Sequence, residues 1–412
     1  MMVAVLHENQ GYHLGDLVPE KMQQTIAAIR AHLCMDIAFI TDFVDEHNIV
    51  RFVEGDSEHA TSLPGACIPR HESYCHLFAG GVLPSIIRDT SLDPVARKLT
   101  LTHKLNIVSY IAAPLRDADG ATYGVFSCIG HKDGGHLSES DLAVMSMFAD
   151  MAGTEIREQI KKRQSYLNAQ RRILEVMKPE KLNISYQPIY DLQQKKVVGY
   201  ESLARFDTQP YQTPDIWFDQ AKLVDLDQQL ELLAIKQGLE SIHLIDESAY
   251  LSLNVSAEII LSGILTNIFS DEIAHRIVLE VTEHAKVPDY QLFREALSPL
   301  RKKGVRVAVD DAGAGYASFQ HVLELRAEII KLDISLIKGL AKDPARSALA
   351  SALIAFARET NTKVIAEGVE TQEEYLELLR IGVDSIQGYY VGYPMPVEQV
   401  ILYTPTVDAH RT

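Results

Sequence analysis

No apolar run in the sequence approaches the roughly 18 residues that a membrane-crossing helix needs, so no membrane span is expected. The opening MMVAVLHENQ lacks a basic region ahead of its short apolar run, which argues against a secretory leader and for the cytoplasm. Cysteine is scarce: the four, at positions 34, 67, 75 and 128, all lie in the first third and have no paired metal-ligand spacing. Reduced thiols are the expected state. Basic residues are also in short supply, 39 Lys and Arg against 56 Asp and Glu, a formal net charge of -17. Such a field repels duplex nucleic acid and anionic membranes, and a small anionic substrate would need local cations. What is present suits a folded protein: 412 residues, 47% hydrophobic and 23% charged, allow two or three domains with proper cores.

In the first third, apolar positions at helical spacing over residues 22–33 precede two β-rich runs, DIAFITDFV and NIVRFVEG, expected to form a hairpin. A helical segment near residues 73–78 and the turn-rich PSIIRDTSLDP follow. Then come two more strands, NIVSYIAAPLR and ATYGVFSCIGH, joined across residues 117–120, and an amphipathic helix from Ser138 to about Ile160. With ESYCHLF and IIRDTSLDP between the hairpins, this order resembles a GAF domain. The resemblance covers roughly residues 20–158 and implies an α+β sensor, usually dimeric, for an unknown small-molecule or redox ligand. The Cys75–His76 pair invites a bilin attachment, but bilin-carrying members place that pair just before the strand matching NIVSYIAAPL, where this chain has His103 and Lys104. Cys75 therefore reads as a small core hydrophobe, His71, His76 and His103 as ordinary surface or core histidines, and no cofactor is assigned to this domain.

The stretch 153–178 is dense in helix formers and stops at Pro179. Ile160, Leu167 and Leu174 recur every seven residues, with Ile156 and Met177 on a neighbouring stripe. That spacing suggests a parallel coiled coil between two chains, with packing on its own domain as the alternative. The expected division is a sensor at 1–155, a connecting helix at 156–179 and a second domain at 180–412.

From Ile184 onward, eight β-rich runs alternate with helical segments: ISYQPIYD, KVVGYESLARF, YLSLNV, RIVLEVTE, RVAVDDA, EIIKLD, KVIAEGV and DSIQG. That alternation predicts an α/β (β/α)8 barrel. Glu201, Asn254, Glu280, Asp310, Lys331, Glu367 and Gln387 each fall at or near the carboxyl end of a different predicted strand, which gathers them on one rim. Burying so many polar groups without a shared ligand would cost several kcal/mol each. Carboxylates and an amide without histidine or cysteine suit hard cations, Mg2+ or Mn2+. The adjacent Asp310 and Asp311 suit two such ions roughly 3.5–4 Å apart, an arrangement that stabilises in-line displacement at a phosphodiester.

The motifs ESLARF, NVS, LEVTE, VDDAGAGYASF, IKLD, AEGVET and QGYYVGYP stand in the order and spacing of an EAL domain, and residues 180–402 resemble that family of cyclic di-GMP phosphodiesterases. The resemblance implies that Glu201, Asn254, Glu280 and Asp310 hold one cation and that Asp310, Asp311 and Glu367 hold a second. Lys331, Glu201 and Glu367 would be catalytic, with Lys331 on the attacking water. Gln187, Leu203, Arg205, Glu370 and Gln387 would contact substrate, Arg205 gripping a phosphate, and Glu283 would anchor the loop after Asp311. Asp333 and His284 are expected to be a local hydrogen-bond partner and a solvated side chain. The implied reaction is hydrolysis of cyclic di-GMP to linear pGpG by a homodimer under the control of the sensor. Three positions depart from the family: Ser202, Ala314, and Ala312 where phenylalanine is usual. Ala312 favours the alternative, a module that binds cyclic di-GMP with weak or no turnover; a pure scaffold is a further rival.

Overall fold

The computed structural model describes residues 20–55, 60, 63–282, 289–312, 322–405 and 407. The chain divides into two units, Met1–Leu167 and Asn168–Thr412.

In the first unit, six strands form one antiparallel sheet: β1 (Ile37–Val44), β2 (His47–Glu54), β3 (Cys67–Pro69), β4 (Ile86–Ile87), β5 (Ser109–Arg116) and β6 (Thr122–Gly130), in the order β3-β2-β1-β6-β5-β4. Both expected hairpins are present. The central strands are apolar on both faces because both are covered. On one face Ala38, Ile40, Phe126 and Cys128 pack with Ile26 and Leu33, which flank or lie in α1 (Glu20–His32), and with Met145, Ile156 and Ile160 of α2 (Glu139–Val176). On the other face Ile37, Phe39, Tyr110 and Ile129 enclose Tyr74 and Cys75.

Helix α2 runs unbroken from Glu139 to Val176, through both the amphipathic segment expected from Ser138 to about Ile160 and most of the connecting stretch at 156–179. Ile156 and Ile160 belong to the sensor's own core and are not available for an interchain seam. Neighbouring contacts fix that face: Arg157 Nη1 pairs with the buried Asp42 at 3.0 Å, the Arg157 guanidinium carbon lies 4.8 Å from the centre of the Tyr123 ring, and the Tyr123 hydroxyl donates to Gly153 O. Of the predicted heptad stripe, Leu174 remains 50% exposed.

The second unit contains a closed barrel of β7 (Leu182–Asp191), β8 (Lys196–Phe206), β9 (Tyr250–Asn254), β10 (Ile277–Thr282), β11 (Arg306–Ala312), β12 (Ile329–Leu332), β13 (Lys363–Ala366) and β14 (Ser385–Gln387). The expected barrel is present, with one strand running against the others. β7 is antiparallel to both its neighbours, β8 and β14. The reason is connection length: only four residues, 192–195, separate β7 from β8, enough for a hairpin, whereas a parallel crossover takes a dozen or more. The other adjacent pairs are parallel.

Outside the strands, helices bury one apolar stripe each. In α4 (Tyr290–Lys302) the stripe is Phe293, Leu297 and Leu300. Helix α5 (Gln372–Ile381) opens with the expected capping box of Thr371 and Glu374 and closes at Gly382, whose φ of 79° suits only a residue without a Cβ. At the amino-terminal end of the barrel, the buried Arg276 donates to the carbonyls of Ile245, Asp246 and Ala249 at 2.8–3.1 Å. Arg276→Ala strands these carbonyls. Chemical denaturation should register a loss of about 2–3 kcal/mol in the barrel.

Candidate active site

The lumen changes character in a single step along the strands. Ile189, Val278, Ala308, Ile329 and Ile365 fill its lower layer. Two residues further along four of those strands, on the same face by the period of the pleat, stand Glu280, Asp310, Lys331 and Glu367. The polar residues therefore form a layer within the barrel mouth, deeper than the rim expected from strand ends. Glu201 lies in the middle of the long β8, and Glu280 is 1% exposed.

Lys331 is the centre of that layer and has no solvent exposure. Its Nζ lies 2.7 Å from Glu367 Oε1, 2.8 Å from Glu280 Oε2, 3.1 Å from Asp310 Oδ1 and 3.4 Å from Glu201 Oε2. Glu201 is also held by Asn254 Nδ2 at 2.9 Å and Gln387 Nε2 at 2.5 Å. Gln387 Nε2 reaches Gln187 Oε1 at 3.2 Å, and Gln187 Nε2 donates to Gly392 O at 3.3 Å. The sequence thus brings Gln187, Glu201, Asn254, Glu280, Asp310, Lys331, Glu367 and Gln387 into one connected network. Ser252 was missed. It donates its hydroxyl to Glu280 Oε1 at 2.5 Å, and its position two residues before Asn254, polar between two leucines on the same strand face, was the available signal.

The adjacent aspartates posed a geometric conflict, because successive strand residues face opposite sides. A β-bulge resolves it. The β11–β12 register slips between Val309 and Ala312, and Asp311 takes a left-handed φ of 59°. Carboxylate oxygens of Asp310, Asp311 and Glu367 consequently lie within 4.8 Å of one another. A non-glycine residue in that region is strained, and such strain gathers at functional sites.

Four carboxylates facing one ammonium leave an excess of negative charge, and its consequences differ by position. Burial opposes ionisation of Glu201, yet the Lys331 charge and the bonds from Asn254 and Gln387 hold its carboxyl below the ordinary range. Burial and then repulsion by Glu201 push Glu280 well above it. Burial, with Asp310 and Glu201 close by, raises Glu367 to about 8 despite Lys331. For Lys331 burial acts against the charge, but the four surrounding carboxylates outweigh it and keep its proton bound well above the ordinary lysine range. The donor set fits divalent cations on these grounds: all-oxygen ligands, uncompensated buried charge, and Gln387 Oε1 buried without a partner.

The remaining positions are peripheral. Leu203 and Arg205 are half-buried further along β8, with Arg205 Nη1 donating to Ala204 O at 2.8 Å. Glu370 is exposed beyond β13, and its amide donates to Glu374. Ser202 turns away from Glu201 and packs against Gly238 of α3 (Asp227–Glu240, which precedes α4). Asp333 caps a short helix by accepting from the Ser335 amide, the local part expected of it. Ala312 is buried as the last residue of β11, and its carbonyl accepts from the Asp333 amide. Glu283, His284 and Ala314 lie outside the described residues.

A family model described as the EAL domain matches residues 170–394, and one described as the GAF domain matches residues 19–156. The chain is 28% identical over 239 residues to the bifunctional diguanylate cyclase/cyclic di-GMP phosphodiesterase MucR of Pseudomonas aeruginosa, covering 55% of this chain and 35% of that protein. It is 30% identical over 222 residues to the probable cyclic di-GMP phosphodiesterase PdeD of Escherichia coli, covering 51% of this chain and 41% of that protein. The chain thus spans less than half the length of these curated relatives. Among solved structures, an EAL domain protein of Listeria monocytogenes superposes with a TM-score of 0.50 at 25% identity, over 55% of this chain and 94% of that one.

Proposed function

Because the chain belongs to the EAL domain family, with a GAF domain ahead of the barrel, we propose that it hydrolyses one phosphodiester of cyclic di-GMP to give linear pGpG. The observation that carries this reading is the buried ring of carboxylates around Lys331, adjoining the trio Asp310, Asp311 and Glu367. Glu201, Asn254, Glu280 and Asp310 would hold one divalent cation, and Asp310, Asp311 and Glu367 a second, Mg2+ or Mn2+ by donor type. When bound, such ions supply Lewis acidity and a nucleophilic water at neutral pH.

The chain's own residues supply position and proton control. Lys331 Nζ, fixed by four carboxylates, would hold the attacking water and receive or return its proton. It can act as a base only when the negative field on it is reduced. Gln387 and Asn254 orient Glu201. Leu203, Arg205 and Glu370 lie at the periphery of the network that includes Gln187; a dinucleotide would extend along these residues, and the Arg205 guanidinium suits a phosphate. Incubation of the purified protein with cyclic di-GMP and Mg2+ or Mn2+ should yield pGpG. Tight binding with no pGpG would sink the enzymatic reading.

The proposal extends to control by the sensor. A cavity of about 20 Å3, lined by Phe39, Val50, Leu63, Leu101 and Ile107 with Asn48 and Cys75, lies within that domain. It has room for a water-sized occupant, and the buried Asn48 Oδ1 lacks a partner there. A small neutral molecule with a hydrogen-bond donor suits it. A cytoplasmic homodimer completes the reading. No helix among the described residues is long and apolar enough to cross a membrane, and Leu174 offers an apolar side chain on α2 for a second copy.

A further inference from the structure

Arg205 stands on a stretch of β8 that is paired on one side only. The ladder between β8 and β9 runs from Gly199 to Ser202, whereas the ladder between β7 and β8 continues to Phe206. Residues 203–206 therefore belong to a two-stranded ribbon, and such a ribbon is marginal unless a neighbour packs on it.

That neighbour is built by the helix Pro214–Lys222 and the last turns of α2, which from Asn168 onward belong to the second unit. Phe206 is buried, and its ring centre lies 5.9 Å from that of Trp217 and 6.1 Å from that of Phe218. Arg172 of α2 covers the indole: its guanidinium carbon is 5.7 Å from the centre of the Trp217 ring, and its Nη2 donates to Gln220 Oε1 at 3.1 Å. Trp217 Nε1 is buried with no acceptor among the described residues, so stacking contacts hold the ring in place. The backbone makes the same connection. Ile173 and Val176 of α2 are buried, the chain reaches β7 through residues 177–181, and Lys181 O accepts from the Asp207 amide at 2.8 Å, just past the end of β8. Successive strand residues face opposite sides, so clamping the Phe206 ring fixes the direction in which Arg205 leaves the strand.

We propose that Arg172 and Trp217 are positioning residues for Arg205: the stack of Arg172, Trp217 and Phe206 sets where the Arg205 guanidinium meets a substrate phosphate. This rests on the phosphodiesterase reading above and adds residues outside the carboxylate cluster that set its affinity for substrate. Both act through Phe206 and not on the phosphate itself. The clamp holds Arg205 ready before binding, so its loss weakens binding and leaves the chemistry at Lys331 as it was.

The test uses the full chain as wild type, R172A, W217F, R205A and R172A/R205A. KM and kcat are measured with cyclic di-GMP and Mg2+, and Kd by calorimetry in EDTA, where the substrate stays uncut. R172A should raise KM and Kd about fivefold with kcat within about twofold of wild type, and W217F, which keeps an aromatic face under the guanidinium, should stay within about twofold throughout. In the R205A background the change caused by R172A should shrink below about twofold, because the residue it acts on is gone. Trp217 is the only tryptophan in the chain, so acrylamide quenching of its emission reports on this stack alone and should rise about twofold in R172A. KM and Kd of R172A within twofold of wild type overturn the proposal, as does an equal rise in the R205A background, which would make the stack a general support of the fold. Unchanged quenching in R172A overturns it too. If circular dichroism shows R172A unfolded, R172M, which keeps the stem and removes the charge, decides on the same criteria. If wild type binds without turnover, the enzymatic reading fails while the positioning role is judged on Kd alone. If wild type neither binds nor turns over cyclic di-GMP, both fall.

Discussion

Replacing Lys331 with methionine is expected to lower kcat by ~10²–10⁴-fold while leaving the chain folded in the presence of cations. Methionine keeps the unbranched stem and removes the ammonium that sits between Glu201, Glu280, Asp310 and Glu367. Two consequences should separate. The rate falls because no group remains at that point to take a proton from water. The cation-free protein loses about 3–5 kcal/mol because the carboxylates lose the only lysine or arginine found among them in the described residues. Lys331→Arg distinguishes the two. A guanidinium restores charge, and with it part of the stability, but stays protonated at any working pH and should not restore turnover. A K331M rate within tenfold of wild type would remove Lys331 from the chemistry.

Removal of divalent cations should abolish turnover and make the stability of the barrel fall as pH rises. Glu367 has an ordinary value of 4.5 and is held at about 8 in the folded protein by burial, Asp310 and Glu201. Between those two values the folded state binds more protons than the unfolded chain. Stability is therefore present near pH 4.5 and is lost progressively as pH climbs towards 8. Glu280, raised by burial and Glu201, acts with the same sign. At ~1.4 kcal/mol per unit of pKa difference the effect reaches a few kcal/mol. Thermal unfolding in EDTA should show the barrel midpoint dropping by roughly 5–10 °C from pH 5 to pH 8. Saturating Mg2+ or Mn2+ should cancel most of that drop, because cations bind the ionised form. Glu367→Gln should flatten the EDTA profile. A profile already flat in wild type would mean that the buried carboxylates carry no excess charge.

Several features were legible because they depend on local pattern. Apolar alternation over residues 37–54 and 109–130 gave both sensor hairpins, and Thr371, Glu374 and Gly382 marked the ends of α5. The antiparallel β7 was also readable, since four intervening residues cannot make a crossover, but strand counting alone concealed it. The heptad spacing of Ile160, Leu167 and Leu174 pointed outward, whereas the structure uses Ile156 and Ile160 inward. A seven-residue repeat over so few turns is compatible with either partner, and only the sheet beneath it selects one. Ser252 went unnoticed because a single serine between two leucines is a weak signal until its partner Glu280 on the neighbouring strand is known.

By itself the sequence determined the supply of chemistry: an acidic barrel strand by strand, one lysine on β12, oxygen ligands without thiolate or imidazole, and motifs in the order of the EAL family. These are properties of residue type and spacing, which the chain carries before it folds. Only the tertiary structure decided how that supply is arranged. It placed Lys331 with no exposure between four carboxylates, set the polar layer below the rim, and turned Asp311 through a left-handed bulge so that adjacent aspartates act on one side. The physical reason is that charge compensation and desolvation depend on distances across the barrel between residues far apart in sequence. Closure of the sheet sets those distances.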